Sequence, residues 1–593
     1  MNWTSSRETT KSRSPRSSPA LEALSAAAAA TRDGVCWAYG NNTYSGGTVV
    51  TGGTLDIGAA GTSSTNSAIG TGTLTIDNGA ILTNDSGSAV TLATNNLQIW
   101  NGSFSFNGTS ALSFGAGDIT INASSVTISD LESSLSEAGN MGGTGNLILS
   151  GDISLSGAVN YAGTLTNYNA YSGTATISGA IGSNVTGVIE NGGTLILTGA
   201  NTYAGGTTID TGTIQVGNGG TSGNLGSGGV LDNGDLIYDR TDSLTESNVI
   251  SGSGLIQQMG SGTTTFAAAN TYTGGTVLDG GTIQLSGAGT LGSIDSTLTF
   301  YNGTLDLNGT NQGVGILTGY GTILNSNTGT TSTFTEGNGQ GSGGNNLFSG
   351  TIKDNSGSGG KIAFVVTGTG SLTLTGTNTY SGGTTVYNST LQVSNASGSA
   401  TGTGEVQILG TSVLGGTGII APTGVTSGIA VNIGSGATIS PSQVSGVGFS
   451  HLTLAVSGTS TVNLASGSEY VFNLASGTST SDEVLITGGS GSLTLNDQEF
   501  SDFTFNLESG FTTGTYILFD TNSSSGINGS LASGSLRSGT LNGNTATLVL
   551  STDSSGHADV ALIVATVPEP STWALFALGL GALAWARRRS AAA

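Results

Sequence analysis

Aliphatic residues along most of this chain stand two apart, with small polar residues between them and glycines at the breaks. LILTG at 195–199, IQVGN at 214–218, LTLTG at 372–376 and LQVSN at 391–395 show the pattern. A period of two places alternate side chains on opposite faces of a β-strand, and Gly, Asn and Ser at the ends supply tight turns. The spacing predicts many short strands, each with one greasy face.

The strands recur around a motif. NTYSGGT at 42–48 returns as NTYAGGT at 201–207, NTYTGGT at 270–276 and NTYSGGT at 378–384. NYAGT from Asn160 and NAYSGT from Asn169 read as decayed copies. Counted from Tyr44, Tyr203, Tyr272 and Tyr380, position +6 holds Val50, Ile209, Leu278 and Val386. Position +11 holds Leu55, Ile214, Ile283 and Leu391, and +13 holds Ile57, Val216, Leu285 and Val393. At −8 and −6 stand Leu195 and Leu197 or Leu372 and Leu374, weakening to Thr264 and Phe266, and to Cys36 and Ala38. The strand at +11 to +13 is therefore expected to stack on the strand at −8 to −6, one circuit of the chain later. A single circuit cannot bury its apolar side, whereas stacked circuits can. The architecture predicted is all-β, a long parallel β-helix of about 20–22 residues per coil, on the order of 25 coils and roughly 100 Å. A β-sandwich array would repeat nearer 100 residues. Gly-Gly after each tyrosine is expected to supply positive φ, and the Asn of the motif to sit in a corner, bonding to backbone or to an Asn above it.

The unit L-x-L-x-G-x-N-T-Y-x-G-G-T-x-[IVL]-x-x-G-T-[LI]-x-[VIL] resembles the autotransporter-associated β-strand repeat. LGGTGII at 414–420 with NIGSGATISPS at 432–442 is similar to the sequence that closes such arrays. The resemblance implies a right-handed β-helix over residues 33–450, on the outside of a Gram-negative cell. It names no ligand. Residues 451–566 lack the series of even, aromatic-girdled strands of a membrane barrel and read as further coils or a β cap.

The last residues break the texture. Ser571 to Ala586 carry no charge, Trp573 and Trp585 stand near the two ends, and Arg587, Arg588 and Arg589 follow. Sixteen helical residues span about 24 Å, and the arginines hold the C-terminus on the cytoplasmic side. A single C-terminal transmembrane α-helix is predicted. With Pro568, Glu569 and Pro570 ahead of it, residues 567–593 resemble the PEP-CTERM sorting signal. That resemblance implies processing by an exosortase, passage through the inner membrane and an association with exopolysaccharide. At the other end, residues 1–32 hold Arg7, Lys11, Arg13 and Arg16 before an apolar stretch that Glu22 interrupts and that ends in weakly hydrophobic alanines, which reads as a disordered atypical leader or a misplaced start.

Charge narrows the partners. The formal net charge is −23, and only Arg240, Lys353, Lys361 and Arg537 are basic between the two termini. Such a surface repels phosphate backbones, so nucleic acid is not an expected partner. Cys36 is alone and is expected to pack as a small apolar residue.

Chemistry is thinly marked. His451 and His557 are the two histidines, no H-E-x-x-H or G-x-S-x-G elbow occurs, and the run GQGSGGNN at 339–346 has no GK[ST]. The densest polar stretch, residues 230–246, gathers Asp232, Asp235, Asp239, Arg240, Asp242 and Glu246. In a carbohydrate-active enzyme Asp232, Asp235, Asp239 and Arg240 would converge within about 6–10 Å, or the acids Asp232, Asp235, Asp239 and Asp242 would bind Ca²⁺. As a solvated corner, Arg240 would simply pair with a neighbouring acid. Trp100, Phe104 and Phe106 could stack on sugars or pack inside a coil. The expectation is a protein without catalytic residues, resident metal or cofactor: a surface shaft serving as an adhesin, biofilm or exopolysaccharide-associated component.

Overall fold

A computed structural model describes residues 24–26 and 35–567, apart from 131–133, 170–172, 338–344, 357–358, 443–448, 477–480, 489–491 and 523–525. The described chain is a parallel β-solenoid of about 18 turns with almost no helix. Short strands pair with the strand one coil earlier and one coil later, in register. The described residues fall into two compact units, the first reaching residue 332 and including 359–360, the second comprising 333–356 and the residues from 361 onward.

In the first unit the predicted stacking is realised residue for residue. Leu195 and Leu197 pair with Ile214 and Val216, Thr264 and Phe266 with Ile283 and Leu285, and Cys36 and Ala38 with Leu55 and Ile57. The inward residues then form continuous columns. One runs Leu195, Ile214, Leu236, Ile256, Thr276, Leu298, Leu317, each buried. Each member loses water contact only because the coils above and below cover it. Gln258 interrupts the neighbouring column, and its amide is satisfied there by the carbonyls of Gly260 and Gly262 and the hydroxyl of Thr264.

In the second unit Leu372 and Leu374 stack on Leu391 and Val393, the same 19-residue step. Beyond the closing sequence near 440 the coils widen: Ile439 pairs with Tyr470 and Tyr470 with Phe503, steps of 31 and 33 residues. In the first unit Leu55 pairs with Leu82, a step of 27. These long coils are why the chain makes fewer turns than the 25 expected from its best repeats. Parallel pairing gives way at the end to antiparallel strands Gly514–Thr521, Ala558–Ala565, Asn544–Thr552 and Ser538–Leu541.

The corners obey backbone sterics. Among the described residues, those with positive φ other than glycine are Asn95, Asn308, Asn388, Asp497 and Asn542, the side chains that tolerate the left-handed region best. Cys36 is half-buried rather than fully packed, and burial pushes its thiol above the ordinary value. Of residues 1–32, Leu24–Ala26 are described, as a strand parallel to Thr48–Val50. The expected transmembrane helix, with Trp573, Trp585 and Arg587 to Arg589, lies outside the described residues, as do Pro568, Glu569 and Pro570. Among the described residues no helix is long and apolar enough to cross a membrane.

Candidate functional site

The recurring heptapeptide builds the same device four times. Tyr44, Tyr203, Tyr272 and Tyr380 all point inward and are buried. Each hydroxyl meets the Oγ1 of the threonine four residues on, at 2.6 Å for Thr48 and 2.7 Å for Thr207, Thr276 and Thr384. In the first and last copies that threonine donates onward to a carbonyl of the next coil, Ile69 O or Thr401 O, both at 3.0 Å. A threonine that donates there must accept from the tyrosine, so the direction of the relay is fixed. Tyr161, in the decayed copy, instead donates to the carbonyl of Thr164.

In three of the four copies the asparagine two residues before the tyrosine ties three coils together. Asn270 accepts the amide of Ile250 at 2.9 Å from the coil before and donates to the carbonyl of Thr290 at 3.0 Å in the coil after. Asn201 does the same between Ile181 and Asn224, and Asn378 between Ile352 and Ala400. Asn42 donates to Ala68 O. Replacing Asn270 by alanine orphans a buried N–H and a buried C=O together and is expected to cost about 2–4 kcal/mol. The shift in denaturation midpoint measures it, with exposed Asn302→Ala as a control expected to stay within about 0.5 kcal/mol.

The two glycines after the tyrosine serve different ends. A Cβ on Gly205, Gly274 or Gly382 would lie 1.8–2.4 Å from a carbonyl oxygen of the preceding coil. Gly47, Gly275 and Gly383 take positive φ, whereas Gly206 does not. Sequence reading missed a third glycine. Gly70, Gly226, Gly292 and Gly402 lie against the ring of the tyrosine one coil earlier, where a Cβ would approach its carbonyl oxygen to 2.2–2.5 Å. The next residue's amide, from Thr71, Ser227, Ser293 or Thr403, donates to that carbonyl at 2.7–2.9 Å. The signal is a Gly-[Ser/Thr] pair after each repeat, and its unequal distance from the tyrosine concealed it.

The acidic stretch does not converge. Asp232 faces the interior, fully buried, with one carboxylate oxygen on the amide of Gly234 and the other unpartnered. Burial and then nearby Asp235 push it up to about 7, against one opposing hydrogen bond. Asp235 and Asp239 stand on the opposite face, four residues apart on one strand, hence about 13 Å apart along it. Arg240 grips Asp242 through Nε at 2.9 Å and Nη2 at 2.8 Å, and its remaining donors take the carbonyls of Thr221 and Gly223. Its guanidinium is spent on the fold. Among the described residues no three of His, Cys, Asp and Glu come together to hold a metal ion.

Trp100, Phe104 and Phe106 are core residues. Trp100 donates to Gln98 Oε1 at 3.1 Å and meets Phe104 edge-on at 5.3 Å. The glycine-rich run at 339–346 falls mostly outside the described residues. Sequence reading also missed a set of buried acids. Glu137 and Glu190 lie inside the coil, held through Gln98 and Asn167 at 2.8 Å each, and burial pushes both up to about 8. The signal available was an acid at an inward position of the period-two pattern, which the abundance of outward acids obscured.

Comparison with known proteins agrees with this geometry. Residues 39–57, 191–216, 257–285 and 364–393 match the Passenger-associated-transport-repeat family, each match containing one heptapeptide. Residues 566–590 match the PEP-CTERM protein-sorting motif. A stretch of 87 residues is 42% identical to the Adhesin BmaC autotransporter of Brucella suis biovar 1 (strain 1330). That stretch covers 14% of this chain and 2% of that much longer protein. The sorting motif implies handling by exosortase-type machinery. The chain is thus an exported, membrane-processed cell-surface protein of a Gram-negative bacterium, built on passenger-associated transport repeats and carrying a C-terminal PEP-CTERM sorting signal.

Proposed function

We propose that the protein is a non-enzymatic surface shaft, an adhesin-like component that works with secreted exopolysaccharide. The observation that carries this reading is the use made of the repeated residues. In all four copies the tyrosine, threonine and asparagine are spent on bonds within and between coils, so what the sequence repeats is the shaft itself. The acids that would do sugar chemistry face different ways, and the arginine that would bind a uronate is occupied. The likeness to an adhesin supports the reading over a short stretch.

The test is incubation of the full chain with exopolysaccharide from the producing organism, scoring both retention and newly formed chain ends. Retention without cleavage is expected. An Asp235→Asn, Asp239→Asn double variant should behave as wild type. Release of oligosaccharides by wild type that disappears in that variant would establish the enzyme instead.

A further inference from the structure

The antiparallel strands at the end of the described chain carry a row of oxygens that nothing in the fold accounts for. Asp520 stands directly opposite Asp559, and Asp559 directly opposite Ser551 on its other side. Directly opposed residues project to one face, with Cβ atoms about 4.5–5.5 Å apart. Asp559 is only 1% exposed. Both its carboxylate oxygens, Oδ1 of Asp520 and Oγ of Ser551 are buried without a hydrogen-bond partner. The charged groups that act on Asp559 are Asp520, Asp553, Glu483 and His557, three acids against one imidazole. Asp553 is already committed, its Oδ1 taking the amides of Ser555 and His557 and its Oδ2 facing His557 Nδ1 at 3.3 Å. His451 likewise lies on Glu483, at 3.1 Å.

Like charges directly opposed in a sheet are destabilising, and a buried carboxylate without a partner is costly. A cation between the two carboxylates removes both penalties. The donors are all hard oxygens with no sulfur among them, which selects an alkaline-earth ion over a transition metal. Ca²⁺ suits them better than Mg²⁺, because it accepts bidentate carboxylates and irregular geometry. We propose that Asp520, Asp559 and Ser551 are the protein ligands of a Ca²⁺ site on this terminal sheet. Two acids rather than three place its affinity in the class of extracellular calcium modules, Kd roughly 10⁻⁴–10⁻³ M. The strand Ala558–Ala565 that carries Asp559 ends three residues before Pro568, so the ion would pin the last strand ahead of the sorting segment.

The experiment is calorimetric titration of the full chain, in detergent and stripped with chelator, with CaCl₂ and separately with MgCl₂. One Ca²⁺ per chain is expected, lost in Asp559→Asn and in Asp520→Asn, weakened in Ser551→Ala, and unchanged in Asp235→Asn. Should the aspartate variants fail to fold, resistance of the wild-type terminal sheet to proteolysis must still rise with Ca²⁺ and fall with chelator. No heat and no Ca²⁺-dependent protection would overturn the proposal. So would an Asp559→Asn variant more stable than a wild type indifferent to Ca²⁺, since the pair would then be holding a proton.

Discussion

Gly402→Ala is expected to destabilise the second unit by more than the loss of a buried aliphatic side chain, above about 3 kcal/mol. Two costs add. The residue sits at φ +68°, where a Cβ is strained by about 1 kcal/mol even in open space. Here the space is not open, because the new Cβ would lie 2.3 Å from Tyr380 O and 2.9 Å from its ring. Neither neighbour can retreat. The tyrosine is held by Thr384, and its carbonyl by the amide of Thr403 at 2.7 Å. Gly428 provides the internal control, with φ +78° and nothing within 4 Å of the added carbon, so Gly428→Ala should cost only about 1 kcal/mol. Denaturant titration of the two variants separates collision from backbone strain. Equal shifts would mean that the contact with the tyrosine contributes nothing. Because a solenoid coil touches only its neighbours, protease sensitivity in Gly402→Ala should appear first in the coils around 380–403.

The same contrast explains what the sequence disclosed. Period-two aliphatics and a heptapeptide repeated four times suffice to pair Leu195 with Ile214 and Leu372 with Leu391, because both strands of each pair lie at constant offsets from one tyrosine. Gly402 escaped because its contact crosses to the next coil through a corner of variable length. The turn count was too high for a related reason. Coil length was read from the best-preserved repeats, while steps such as Ile439 to Tyr470 carry long corners that no motif announces. Asp232 was misjudged as a surface acid because loops and strands both hold aspartates in this chain. Only pairing with Ile209 one coil earlier shows that it faces inward. The row of Asp520, Asp559 and Ser551 was invisible, since those residues meet through antiparallel pairing outside the repeats.

The buried acids give the second large prediction, a stability that declines as pH rises through neutrality. Glu137 and Glu190 keep a proton up to about pH 8 when folded but lose it near the ordinary 4.5 when unfolded, and Asp232 behaves likewise up to about 7 from 3.8. Between those values the folded chain binds more protons than the unfolded one, so unfolding free energy must fall with increasing pH. The stabilisation is complete below about pH 4.5 and is lost as pH passes the folded values. Each glutamate is expected to account for about 2–4 kcal/mol between pH 5 and 8.5. Relief of surface repulsion does not mimic this, because most exposed carboxylates finish titrating below about pH 5. Glutamine variants assign the slope to the two glutamates. Glu137→Gln keeps an oxygen for Gln98, and Glu190→Gln one for Asn167, while neither can ionise. Both variants should match wild type at pH 5, exceed it at pH 8.5 and flatten the profile of thermal midpoint against pH. A wild-type profile that is level or rising from pH 5 to 8.5, or variants that keep the full slope, would show that these carboxyls are not held in the interior as protonated acids.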